Sequence, residues 1–175
     1  MAVKLVPLRP FEYAAFVDRQ IAEFAREKAR AGHWRESEAR ERSRAAVTRL
    51  LPAKAPSPGH RVFKGVDADG RSIGWIWLGP PPKPMKLGKV QWLYQITVKE
   101  SERGKGVGRA LLTATEAFVA REGAKALYLN VFGWNLVARS LYESAGYTVH
   151  YDGETEFGMH KTLTRKAPKR AKKRG

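Results

Sequence analysis

The stretch Arg103-Gly104-Lys105-Gly106-Val107-Gly108-Arg109 limits what this chain can fold into more than any other. It joins a β-branched and aromatic run, Val90 to Val98, to a helix-patterned run, Ala110 to Glu122. A strand entering a helix through a glycine-rich turn indicates a layered α/β arrangement. Such a turn also presents free backbone N–H groups at a helix start, where phosphate binds. Two familiar phosphate loops fail on spacing. The dinucleotide fingerprint G-x-G-x-x-G/A needs a small residue where Arg109 or Leu111 stands. The Walker A loop needs Gly-Lys-Ser/Thr, and no Gly-Lys pair here is followed by either residue. What remains is R-x-x-G-x-G, from Arg103 to Gly108. By itself it fits a phosphate cradle of another kind, or a plain βα turn.

The chain has 175 residues, of which 43% are hydrophobic, enough for a folded domain with a real core. It lacks cysteine, which excludes disulfides, thiolate zinc sites and a cysteine nucleophile. No apolar run approaches a membrane span and no signal-peptide pattern opens the chain, so the cytoplasm is the expected compartment. The net charge is +16. Residues 165–175 (RKAPKRAKKRG) carry seven Lys/Arg and no acid, leaving +9 for residues 1–164. We read 1–164 as a single domain and 165–175 as a disordered basic tail. The tail is either a weak contact for nucleic acid or another polyanion, or simply a solvated end.

Patterning gives the element order. A short strand at 3–8 precedes a helix from Pro10 to Ala31, with Phe16, Val17, Ile21, Phe24 and Lys28 at helical spacing. A second helix runs from Glu36 to Leu51 and stops at Pro52. Strands at 61–67 and 71–78 flank Asp69-Gly70, a hairpin signal. A Pro- and Lys-rich loop, 79–89, leads to the strand Val90–Val98. After the glycine turn and its helix come a strand, Ala126–Phe132, a helix capped by Asn135, and strands at 147–151 and 156–163.

The block Leu129–Tyr147, LNVFGWNLVARSLYESAGY, contains Asn135, Ala138, Leu141-Tyr142 and Gly146-Tyr147. With the glycine turn one helix and one strand upstream, residues 90–163 resemble the GNAT N-acetyltransferase superfamily. The N-terminal elements fit that family's arrangement less specifically. The resemblance implies a mixed, largely antiparallel sheet of six to seven strands. Helices would lie on both faces, and the sheet would splay between its fourth and fifth strands. It implies acetyl-CoA as cosubstrate and no metal. The pyrophosphate would rest on the backbone of Arg103, Gly104, Lys105, Gly106, Val107, Gly108 and Arg109. The Arg103, Lys105 and Arg109 side chains would either add charge-assisted contacts or point to solvent. Ile96 and Val98 would offer backbone groups to the pantetheine arm, unless they are plain strand core. One such N–H would polarise the carbonyl. Asn135 would touch the arm, cap its helix, or both.

Tyr142 lies two helical turns beyond Asn135 on the same face. The resemblance makes it a cofactor contact and the general acid to the departing thiolate; otherwise it is a buried tyrosine with a satisfied hydroxyl. The reaction would be direct attack by a primary amine of a small molecule or protein. Alternatives are an amine carried on nucleic acid, such as aminoacyl-tRNA, and a non-catalytic acyl-CoA- or nucleic-acid-binding module. Many relatives place a carboxylate on the strand before the turn. The inward candidates here are Gln91, Tyr94 and Gln95, which leaves the general base open, with His150, His160 and Glu100 as candidate helpers. The N-terminal helices, the 79–89 loop and the last hairpin would build the acceptor pocket. Trp34, Trp75, Trp77, Trp92 and Trp134 are candidates to line it. The basic net charge favours an acidic acceptor over a polyamine. The chain would act as a monomer or homodimer.

Overall fold

The computed structural model describes residues 1–82 and 88–164. The elements run β1 (Lys4–Pro7), α1 (Pro10–Arg30), α2 (Glu36–Leu50), β2 (Arg61–Val66), β3 (Ser72–Gly79), β4 (Val90–Val98), α3 (Val107–Arg121), β5 (Ala126–Phe132), α4 (Leu136–Ser144), β6 (Thr148–Asp152) and β7 (Glu156–Thr162). A short 3-10 turn, Glu100–Glu102, precedes the glycine segment. The strands form one sheet in the order β1-β2-β3-β4-β5-β7-β6. Every neighbouring pair is antiparallel except β4 and β5. This is the mixed sheet expected from the sequence, and the element order matches as well. The main difference is at α3, which begins at Val107 rather than Ala110, so Gly108 lies inside the first helical turn.

Helices cover both faces. On one, α3 and α4 pack Val107, Leu111, Leu112, Val119 and Tyr142 against Ile76, Leu93, Leu127, Leu129 and Met159. On the other, α1 and α2 pack Tyr13, Phe16, Val17, Ile21 and Val47 against Val62 and Trp77. Ser43 in α2 donates to the Ile21 carbonyl at 2.7 Å and ties the two helices together. Glu12, in the first turn of α1, accepts from the Arg9 backbone N–H at 2.9 Å and from Lys64 of β2 at 2.6 Å. The Arg9 and Lys64 hydrogen bonds hold its carboxyl down at about 2.

Two paired glycines set the depth of α3. Gly65 and Gly74 face each other across β2 and β3. A Cβ on Gly65 would lie 2.2 Å from Leu111, and one on Gly74 would lie 2.7 Å from Leu111 and 2.3 Å from the Thr97 carbonyl oxygen. Leu111 is fully buried in the hollow those missing side chains leave. That seats the first turns of α3, and the glycine turn before them, tightly on the sheet.

Candidate active site

The site begins where the sheet parts. The β4–β5 ladder runs from Val90↔Ala126 to Leu93↔Leu129 and goes no further. Beyond it, β4 stays paired with β3 through Gly74↔Val98, and β5 stays paired with β7 through Phe132↔Glu156. The two strands therefore diverge, as the resemblance implied. A register shift explains the break: Trp77 faces Gln95 but Leu78 faces Leu93, which makes Tyr94 the extra residue of a β-bulge. A bulge bends its strand and adds local twist. From Gln95 to Val98, β4 is paired on its β3 side alone, and its other backbone edge faces the gap.

At the end of β4 sits the glycine turn. Gly104 and Gly106 have φ of 74° and 75°, a left-handed conformation that favours glycine. A Cβ on either would meet nothing within 4 Å, so the turn is open to whatever approaches. Gly106 is the N-cap of α3, and Ala110 is the first residue to close a bond back to it. Among the described residues no hydrogen bond takes the N–H groups from Gly104 to Arg109. Their side chains are partly committed elsewhere. Lys105 pairs with Glu102 at 3.2 Å, and Arg109 donates to the Ser144 hydroxyl on α4. Arg103 is exposed. Gly108 lets α4 come close: a Cβ there would lie 3.3 Å from Leu141 and 3.6 Å from Val98.

A cavity of about 370 Å³ opens from the gap. Ile96, Asn135, Ala138 and Tyr142 line it, together with Trp77, Trp92 and Tyr94 and residues of α1 and α2. Tyr142 belongs to the core on the α3/α4 side, yet it shares this cavity with helices packed on the opposite face. The cavity thus passes through the parted sheet. Tyr142 is 5% exposed, and its hydroxyl has no hydrogen-bond partner among the described residues. Burial pushes its pKa up, which keeps the phenol protonated at neutral pH. Asn135 is the N-cap of α4, its side chain accepting from the Ala138 N–H at 3.1 Å, and it faces the cavity as well. Val98 lies beside the turn, outside the cavity lining.

The other sequence candidates divide. Trp77 and Trp92 line the cavity; Trp34, Trp75 and Trp134 do not. Trp134 stacks on Phe132, and Arg19 lies over the Trp75 ring at 4.1 Å. Pro82 contributes from the 79–89 loop, whose residues 83–87 lie outside the described residues, as do 165–175. Gln95 lines the cavity, but Gln91 accepts from Arg61, which also pairs with Glu122 at the end of α3, so it sits on the other face. His150 and His160 group with Tyr128 away from the cavity, and Glu100 lies in the 3-10 turn.

The carboxylates that sequence reasoning missed come from α1 and β7. Glu23, Glu27 and Glu156 line the cavity, with Lys28 and Arg49 as the cationic lining. Glu23 accepts from Gln95 at 3.1 Å and from Gln20 at 3.4 Å. Desolvation, with the charges of Glu23 and Glu156, pushes the Glu27 carboxyl up to about 7. Desolvation raises Glu23 as well. These three carboxylates, beside Lys28 and Arg49, contrast with the basic net charge of the whole chain. A signal was present. Gln20, Glu23, Phe24, Glu27 and Lys28 occupy positions i, i+3, i+4, i+7 and i+8, where a buried helix stripe is normally apolar.

Comparison with known proteins agrees with this architecture. The profile of the acetyltransferase (GNAT) family matches residues 19–147. Two proteins of Bacillus subtilis (strain 168), both described as uncharacterised N-acetyltransferases, align over 163 residues. YycN is 29% identical, covering 93% of this chain and 100% of its own. YdgE is 30% identical, covering 93% and 99%. The crystal structure of YycN superposes with a TM-score of 0.78 over 87% of this chain and 95% of that one, at 28% identity. A PaiA N-acetyltransferase from Thermoplasma acidophilum, solved with coenzyme A, shares the fold with a TM-score of 0.61 at 20% identity, over 93% of this chain and 100% of that one. The chain belongs to the GNAT acetyltransferase family.

Proposed function

We propose that residues 1–164 act as one domain that transfers an acetyl group from acetyl-CoA to a primary amine by direct attack. The observation that carries this reading is the parted sheet: beyond Leu93 the β4 edge has no β5 partner, Ile96, Asn135 and Tyr142 line the cavity there, and the turn with free N–H groups at Gly104–Arg109 follows the end of β4. The turn suits a pyrophosphate, since backbone N–H groups at a helix start bind it without side-chain help. The gap suits an extended amide-bearing arm, because the β4 edge from Tyr94 to Val98, including Ile96, has unused backbone groups. One of those N–H groups would polarise the thioester carbonyl, and Asn135 would contact the arm while capping α4.

Tyr142 would protonate the thiolate as it leaves. Its burial supports that role twice: the phenol stays protonated, and its lone hydroxyl has nothing else to bond. Tyr142→Phe is expected to lower kcat about 10²-fold. The Kd for acetyl-CoA should stay within twofold of wild type, measured by calorimetry. Unchanged turnover on an acetylated amine would remove Tyr142 from the chemistry. The carboxylate-lined cavity favours a cationic small-molecule or peptide amine over an amine carried on a nucleic-acid backbone.

A further inference from the structure

We propose that α1 supplies the acceptor site: Glu27 takes the proton from the attacking amine, and Glu23 holds a second ammonium of the same molecule. The acceptor is then a small amine with at least two cationic nitrogens. The inference rests on the acetyl-transfer reading above and names its acceptor class and its base.

The two carboxylates lie four residues apart on the inner face of α1, so they stand side by side over one cavity. Their surroundings give them different work. Glu23 accepts amide N–H bonds from Gln95 and Gln20, which fix the carboxylate and favour its charged form. Desolvation still raises the Glu23 carboxyl overall, and a carboxylate fixed in such a site suits a cation that stays beside it and favours its charge. Glu27 has no hydrogen bond from a described residue. It is faced by Glu23, Arg26 and Lys28 of its own helix, and by Glu156 of β7. Arg49 of α2, Gln95 of β4 and Tyr142 of α4 share the cavity. Lys28 lies 3.9 Å from Glu156 and so is partly engaged. A carboxyl that is free and only half ionised near neutral pH suits a base that must accept a proton and give it back. An independent sign that the cavity takes a ligand is Tyr142, a residue 5% exposed whose hydroxyl has no hydrogen-bond partner among the described residues and which lines the same space.

The step balances. Glu27 removes one proton from the ammonium, and the neutral nitrogen attacks the thioester carbonyl carbon. The C–N bond forms and the C–S bond breaks. Tyr142 protonates the departing sulfur and is reprotonated by the second proton lost from the nitrogen. Glu27 returns its proton to solvent.

The test compares 1,4-diaminobutane and 1,3-diaminopropane with butylamine as acceptors, across pH 5.5–9, in wild type, Glu23→Gln and Glu27→Gln. Wild type is expected to favour the diamines at least tenfold in kcat/KM, with a limb near pH 7 that rises with pH. Glu27→Gln should lose about 10²-fold in kcat on both kinds of amine, and the pH 7 limb with it. Glu23→Gln should raise KM for the diamines about tenfold and leave butylamine within twofold. Calorimetry on the CoA complex supplies a readout without turnover: 1,4-diaminobutane should bind wild type and weaken about tenfold in Glu23→Gln. Unaltered CoA affinity in both variants shows that they are folded. Equal use of diamine and monoamine would overturn the second-cation site. A pH 7 limb that persists in Glu27→Gln would overturn the base. CoA binding with no amine acetylated would instead overturn the transferase reading beneath both.

Discussion

The Arg103–Arg109 turn offers backbone: free N–H groups at a helix start, with two glycines in a left-handed conformation. The α1 face between Gln20 and Lys28 offers side chains carried by an unbroken helix to the cavity. In the proposed reaction the two regions would serve its two substrates, with Tyr142 lining the cavity that α1 faces. Backbone recognition imposes residue types at fixed spacing, because few residues besides glycine accept a positive φ. Side-chain recognition on a regular helix imposes nothing on the backbone, so the acceptor side can be rewritten by substitution while the fold stays the same.

The largest effect expected from breaking this contrast comes at the turn. Gly106→Val forces a β-branched residue into φ 75°, which costs on the order of 1–2 kcal/mol or moves the helix cap. The acetyl-CoA Kd should rise about tenfold or more, with the acceptor KM unchanged; steady-state kinetics varying each substrate in turn separates the two. An equal rise in both constants would dissolve the contrast between the two regions.

A smaller effect sharpens the acceptor side through stability. Glu27 has a native pKa of about 7, above the ordinary 4.5. The native state therefore binds this proton more tightly than the unfolded chain does. The stability this confers is complete below about pH 4.5 and is lost as pH rises through 7. Glu27→Gln should then be more stable than wild type at pH 8, by on the order of 1 kcal/mol once solvent screening of a part-buried group is allowed for, and should melt at a higher temperature. The two proteins should converge near pH 4.5. Thermal melts across that range check the sign, and a variant less stable than wild type at pH 8 would show that Glu27 is held by a favourable ion pair instead.

The smallest effect belongs to the charged side chains of the turn. Lys105 already pairs with Glu102, and Arg109 already bonds Ser144. Lys105→Gln and Arg109→Gln should each weaken acetyl-CoA binding less than threefold at physiological salt. A tenfold loss in either would mean that side chains, rather than backbone, hold the anion.

Much of the fold was legible because local chemistry and tertiary contacts agree. Val90–Val98 reads as a strand, and Ala126–Phe132 does too; both form at those bounds. The turn, Asn135 and Tyr142 stood out because their spacing is demanding. Other features were hidden. The bulge at Tyr94 has no glycine or proline to announce it, and arises from register against β3. Gln91 is one of the three inward candidates in the sequence, yet it faces the end of α3. The five tryptophans look alike in sequence, and packing alone separates Trp77 and Trp92 from the rest.

The sequence by itself determined the order of the elements, the glycine turn, and the placement of Tyr142 two helical turns beyond Asn135. Periodicity, capping and positive-φ glycine act within a few residues and are written in the chain directly. The tertiary structure decided which charged groups line the cavity. A chain of net charge +16 gathers Glu23, Glu27 and Glu156 from α1 and β7 around one cavity. Net charge sums over the whole surface, whereas a pocket responds to the few groups brought within its walls, where low dielectric magnifies each of them.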